Sequence, residues 1–198
     1  MKKKYIALVL AFVLVAALSV GGTLAWLTAK TDAVTNTFTT AGIDITLTET
    51  FNTDTNDDGT NDKWEAQMVP GYTLSKDPKV TVKANSEACW LFVKLDKSAN
   101  FDTYLTYEMA DGWIQLEDDK EGTVEGVFYR QVSLATTDQE FSVLKDNQVK
   151  VKGSVTKTQM DAAETNYPTL TVTAYAHQYS KDGSNYFGVY DAWKELNS

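Results

Sequence analysis

The chain has little of what most enzymes and cross-linked exported domains rely on. Its 198 residues include one cysteine and one histidine, and 18 Lys and Arg stand against 27 Asp and Glu. A lone cysteine can form no intramolecular disulfide and no cysteine-based zinc site. A lone histidine excludes an HExxH zinc-protease helix. The formal charge of -9 argues against a sequence-independent nucleic-acid binder, which needs a basic footprint. With three prolines and no internal repeat, collagen-like and low-complexity classes do not fit. The sequence has no G-x-S-x-G elbow, no glycine-rich phosphate loop and no dinucleotide fingerprint. Carboxylates are plentiful, but no spacing among them selects a glycosidase pair.

What is present is unevenly distributed. Lys2, Lys3 and Lys4 precede an apolar run from Ile6 to Leu18, then Ser19, Val20, Gly21 and Gly22. This is the layout of a secretory signal peptide over residues 1–25, with Thr23-Leu24-Ala25 as the cleavage tripeptide and the cut between Ala25 and Trp26. The competing reading is a retained anchor, because Tyr5 to Leu27 is long enough to span a bilayer. The small residues after the apolar run favour cleavage. Contact with the membrane would then occur only through the uncleaved segment. Removing residues 1–25 takes away three lysines and no acid, so the exported part stands at -12. An acidic, cysteine-poor exported chain points to the exterior of a Gram-positive bacterium.

Beyond residue 34 the pattern is that of strands. Ile43, Ile45 and Leu47 alternate with Asp44, Thr46 and Thr48, and Val80 and Val82 alternate with Lys79, Thr81 and Lys83. Trp90-Leu91-Phe92-Val93 is a continuous run of β-formers, as expected of a strand covered on both faces. Further strands are expected at Tyr104–Tyr107, Trp113–Leu116, Val127–Leu134, Val149–Lys152 and Leu170–Tyr179. Turn signals fall at Pro70-Gly71, Asp111-Gly112, Glu121-Gly122 and Asp182-Gly183. Helix is expected only at Lys157–Glu164, capped by Thr156, and at Tyr190–Leu196. The expected fold class is all-β, a jelly-roll or Ig-like sandwich over residues 26–198 behind an N-terminal signal-peptide helix.

The strongest chemical motif lies within residues 52–65. From Asp54 to Glu65 the chain places Asp54, Asn56, Asp58, Thr60, Asp62 and Glu65 at the ligand positions of a twelve-residue calcium loop, with Gly59 at its sixth position. Calcium takes six to eight hard oxygens, and alternating side chains of a curled loop can all point inward. Gly59 allows the backbone reversal this needs. The segment before it reads as strand and loop, so the motif is a loop without flanking helices. A solvated hairpin tip is the plain alternative, since Asp, Asn and Gly are ordinary turn formers. His177, with no second histidine, reads as a sheet residue held by hydrogen bonds. Cys89 reads as a buried, inert thiol. The 10 tyrosines and 5 tryptophans fit core and cross-strand pairs, with a glycan-binding platform as the alternative.

Three stretches carry a family resemblance. They are Gly21-Gly22-Thr23-Leu24-Ala25-Trp26-Leu27-Thr28, Asn36-Thr37-Phe38-Thr39 and Gly42-Ile43-Asp44-Ile45-Thr46-Leu47-Thr48-Glu49. Two later patches agree: Val69-Pro70-Gly71 with Lys76-Asp77-Pro78-Lys79-Val80, and Ala174-Tyr175-Ala176 with Gln178 ahead of Ala192-Trp193. The chain thereby resembles the TasA and camelysin-like exported proteins with a SipW-type signal peptide. The resemblance implies a jelly-roll sandwich outside the cell, cleavage near Ala25 by a dedicated signal peptidase, and self-association into biofilm-matrix filaments by donor-strand exchange. Residues 26–38 would be the donor strand, adding to an open sheet edge of the next copy. Head-to-tail addition does not close, so it gives a fibre. The family also carries a metalloendopeptidase label. No histidine cluster or catalytic motif here brings that label across, so the expectation is a non-enzymatic subunit. The resemblance is silent on calcium.

The acidic loop generates a direct expectation. Calorimetric titration of the exported chain with millimolar calcium gives a saturable heat, with affinity in the region of roughly 10⁻⁴–10⁻³ M. Asp58→Asn together with Glu65→Gln removes it. A flat titration of the unaltered chain sinks the calcium assignment.

Overall fold

The computed structural model describes residues 42–50, 67–118, 122–163 and 166–198. The signal peptide, the cleavage site at Ala25 and Trp26, the donor segment 26–38 and the calcium-type loop from Asp54 to Glu65 lie outside the described residues. Every described residue belongs to one compact unit, residues 41–198.

Alternating and continuous β-formers become antiparallel sheets, and the class is all-β. The strands in chain order are β1 (Ile45–Thr48), β2 (Thr73–Ser75), β3 (Lys79–Val82), β4 (Cys89–Lys97), β5 (Leu105–Thr106), β6 (Ile114–Asp118), β7 (Gly122–Val132), β8 (Gln139–Ser142), β9 (Gln148–Val151) and β10 (Leu170–Gln178). The first sheet runs β1-β3-β8, the second β10-β4-β7-β6 and the third β2-β9-β5. The helices are α1 (Phe101–Tyr104), α2 (Lys157–Ala163) and α3 (Val189–Leu196).

Strand β4 explains the layering. Its odd positions, Cys89, Leu91, Val93 and Leu95, enter one core with Val80 and Val82 of β3 and Val132 of β7. Its even positions, Trp90 and Phe92, face the other way and pack with Leu116, Val127, Ala192 and Trp193. The first sheet therefore covers one face of the second, and α3 covers the other. This is why residues 90–93 are apolar without alternation. Leu91, Phe92 and Val93 are fully buried, each contributing about 1.5–3 kcal/mol over exposure. A separate cluster of Phe101, Tyr104, Leu105, Val151, Val155 and Ala163 joins the third sheet to α1 and α2.

Several expectations shift in detail. Residues 101–104 form one helical turn, and only Leu105–Thr106 is strand, because Phe101 and Tyr104 both turn into the second cluster. Strand β7 starts five residues earlier than Val127, with Gly122 as its first residue at φ 90°. Strands β2 and β8 were not legible. Gln139–Ser142 has a single large apolar residue, and its strand comes from pairing, with Phe141 opposite Val80. Thr156 caps α2 as expected: its hydroxyl accepts from Gln159 N–H at 3.3 Å, while the Gln159 side chain accepts from Thr156 N–H at 2.9 Å.

Among the described glycines, Gly126 is the one whose replacement a neighbouring strand's backbone blocks. Its φ is +70°, and a Cβ there would stand 2.5 Å from the Leu95 carbonyl oxygen. Gly126→Ala should therefore destabilise the domain by about 2 kcal/mol or more, read as a lowered urea midpoint. An unchanged midpoint would mean that β7 does not approach β4 this closely.

Candidate functional site: the margin between β1 and β10

Two sheet edges meet on one side of the molecule. Among the described residues β1 pairs only with β3, and β10 pairs only with β4. Along the nine residues of β10, half of the backbone N–H and C=O groups therefore point away from β4. Ile43, Ile45 and Leu47 on one side and Leu170, Val172, Ala174 and Ala176 on the other pack on the common core. All seven are only half-buried. Their neighbours one strand further in, Val80, Leu91 and Val93, are fully buried. The apolar core thus comes to the surface along this seam.

At one end the seam widens into a groove of about 480 Å³, lined by Gly42, Ile43, Glu87, Ala88, Ala176, His177, Gln178 and Ser180. The residues leading into β1 are stitched to its wall. Ser86, a buried hydroxyl, accepts from Asp44 N–H at 3.1 Å. Glu87 N–H donates to Gly42 C=O at 3.1 Å, and Lys83 N–H to Asp44 C=O at 2.9 Å. Gly42, the first described residue of this stretch, is thereby held at the groove.

The outer side of β10 is fixed by aromatic contacts. Tyr175 meets Trp193 edge-on at 5.3 Å, and His177 meets Phe187 edge-on at 4.5 Å. The His177 ring nitrogens face Gln178 C=O at 2.9 Å and a Glu195 carboxylate oxygen at 3.1 Å. The histidine is thus a hydrogen-bonded sheet residue that ties β10 to α3. Trp90 donates its indole N–H to Phe187 C=O at 2.8 Å and meets Tyr179 edge-on at 5.2 Å. Trp113 and Trp193 are buried and Trp90 is half-buried, whereas Tyr186 is 53% exposed. Cys89 is fully buried and its thiol is pushed up to about 11 by burial, the inert state expected of it.

The acidic loop itself is not described, but the strands on either side of it are braced. Lys76 reaches both carboxylate oxygens of Glu49 at 3.0 Å, with each side chain 12% exposed. Thr50 N–H donates to Asp77 at 3.0 Å, and the Thr50 hydroxyl bonds the same carboxylate. Sequence patterning had no means of finding this brace, because the partners stand 27 positions apart. Among the described residues no group of three or more His, Cys, Asp or Glu side chains converges as a metal cluster would, and no helix is long and apolar enough to cross a membrane.

No protein-family model, curated protein or solved structure matches the chain.

Beside the groove, the hairpin from Ser180 to Tyr186 depends on one carboxylate. Asp182 accepts from the Asn185 side chain at 2.7 Å and from the backbone N–H of Asn185 and Ser184 at 2.8 and 3.0 Å. The Asn185 side chain, followed by these backbone donors, holds the carboxyl below its ordinary 3.8. A depressed carboxylate lends its support in full above the unfolded value and loses it as pH falls through the folded one. The Asn185 amide resonance should therefore titrate with a midpoint below 3.8, and Asp182→Asn should abolish that titration. A midpoint at or above the ordinary value would mean the turn is not built on this carboxylate.

Proposed function

We propose that this chain is a secreted, non-enzymatic structural subunit of the extracellular matrix or cell surface of a Gram-positive bacterium, built as a jelly-roll or Ig-like sandwich. Copies assemble head to tail, with residues 26–38 of one adding as an extended strand to the margin between β1 and β10 of the next. The observation that carries this reading is the half-covered apolar seam flanked by two strand edges without a second partner among the described residues. An added strand would satisfy backbone groups along β10 and complete the burial of side chains that β1 and β10 leave half-covered. The alternation of apolar and polar residues that marks a strand offers pockets for alternate side chains, which set the register. The donor would carry Trp26, Leu27, Ala29, Ala33 and Val34 as apolar anchors.

The position of Gly42 adds support. Gly42 lines the groove, so the donor segment 26–38 would end only a few residues before an acceptor of its own kind. In one copy it can fold back, and between copies it can exchange. Calcium held by Asp54, Asn56, Asp58, Thr60, Asp62 and Glu65 would neutralise part of the charge on a chain at -12, which lowers repulsion between neighbouring copies. The resemblance to the TasA and camelysin-like proteins points the same way.

The test compares two chains, one beginning at Trp26 and one at Thr39. The first should grow into filaments visible by electron microscopy and light scattering, and the second should remain monomeric. Val172→Asp in the longer chain should block growth, because it places a carboxylate in the seam. Equal behaviour of the two lengths overturns the donor-strand reading.

A further inference from the structure

The chain has one arginine, Arg130, and its surroundings differ from those of most described lysines. Lys76, Lys83, Lys97 and Lys145 each hold a carboxylate within 3.1 Å. Arg130 holds none. It lies on the inward side of β7, opposite Leu91, with its guanidinium carbon 4.0 Å from the Phe141 ring centre and 5.3 Å from that of Trp113. Trp113 is itself fixed by its indole N–H, which donates to Ser142 C=O at 2.9 Å. The Asp111-Gly112 turn passes so near that a Cβ on Gly112 would stand 2.8 Å from Nη2. Nε is buried without an acceptor. Among the described residues the guanidinium makes no hydrogen bond.

The aromatic faces account for only half of this arrangement. A ring attracts the cation through its face, but the five N–H donors lie in the guanidinium plane and have no acceptor there. A partly buried charge with open donors is a poor structural filler. It is a good fork for a planar oxyanion, whose two oxygens match two parallel N–H groups. With Nε enclosed, the Nη end of the half-buried side chain is the side a ligand can approach.

We propose that Arg130, clamped by Trp113 and Phe141, is a receptor for a carboxylate supplied from outside the domain. Two sources share this chemistry: a free carboxylate, or an Asp or Glu of another copy of this acidic chain. The site is independent of the fibre reading. Phe141 lies on β8 and Trp113 just before β6, and β8 and β6 are the edges opposite β1 and β10 in the same two sheets.

A single arginine gives a single Nε–H resonance, so one ¹⁵N-labelled sample of the full exported chain can decide. Sodium acetate is titrated against sodium chloride at matched ionic strength, and the protein is separately concentrated in chloride alone. A saturable shift of the Arg130 Nε–H and Trp113 indole N–H resonances with acetate supports the site. A shift with protein concentration that acetate reverses assigns the carboxylate to another copy. Arg130→Lys keeps the charge but loses the fork, and should abolish the Trp113 response. Resonances that stay still in both arms, or that chloride moves equally, overturn the proposal.

Discussion

Burial of β4 on both faces is the constraint on which the other elements depend. Because successive side chains of a strand point in opposite directions, Leu91 and Val93 need a cover on one side and Phe92 on the other. The first sheet supplies one cover through Val80 and Val82, and α3 supplies the other through Ala192 and Trp193. A change at β4 is therefore felt in two layers at once. The tilted Phe92–Trp193 contact at 5.4 Å and the Trp90 bond to Phe187 tie the C-terminal segment to the centre of the sheet. The helix is short, and its position comes from this packing more than from its own propensity.

The same geometry explains why the two sides of the domain differ. Toward β7 and β8 the gap between the sheets is closed by large groups: Trp113, Phe141 and the Arg130 guanidinium. Toward β1 and β10 it is lined by aliphatic side chains that stop half-covered. One margin is plugged by aromatic rings and a cation, and the other by nothing comparable among the described residues. An extended segment fits the second margin, and a small planar anion fits the first. The two proposals thus rest on opposite edges of one layered core, and on different chemistry.

Much of the sheet was legible along the chain. The alternation at Ile43–Leu47, the pattern at Lys79–Val82 and the unbroken run at Trp90–Val93 gave strands at close to their observed places, because each signal reflects local burial on one or two faces. Elements whose stability comes from a partner were not legible. Strand β8 exists because β3 offers it a ladder, and residues 101–104 form a helical turn because two aromatic rings must reach the same cluster. The candidate site divides in the same way. His177 was correctly read as a bonded sheet residue. The seam was invisible, since nothing in the spacing places Ile45 and Val172 on the same opening.

The sequence by itself determined the all-β class, the acidic balance, the main strand positions, the Thr156 cap and the inert environment of Cys89. These follow from periodicity, composition and short-range hydrogen bonding. The expectations at residues 1–40 and 52–65 also stand on sequence alone. Tertiary structure decided which strands became edges, where the core reaches the surface and that Arg130 stands between two aromatic rings. Those outcomes depend on pairings between residues tens of positions apart, such as Arg130 with Leu91 or Lys76 with Glu49. Such pairings are fixed by the closing of the whole sheet and not by any local pattern.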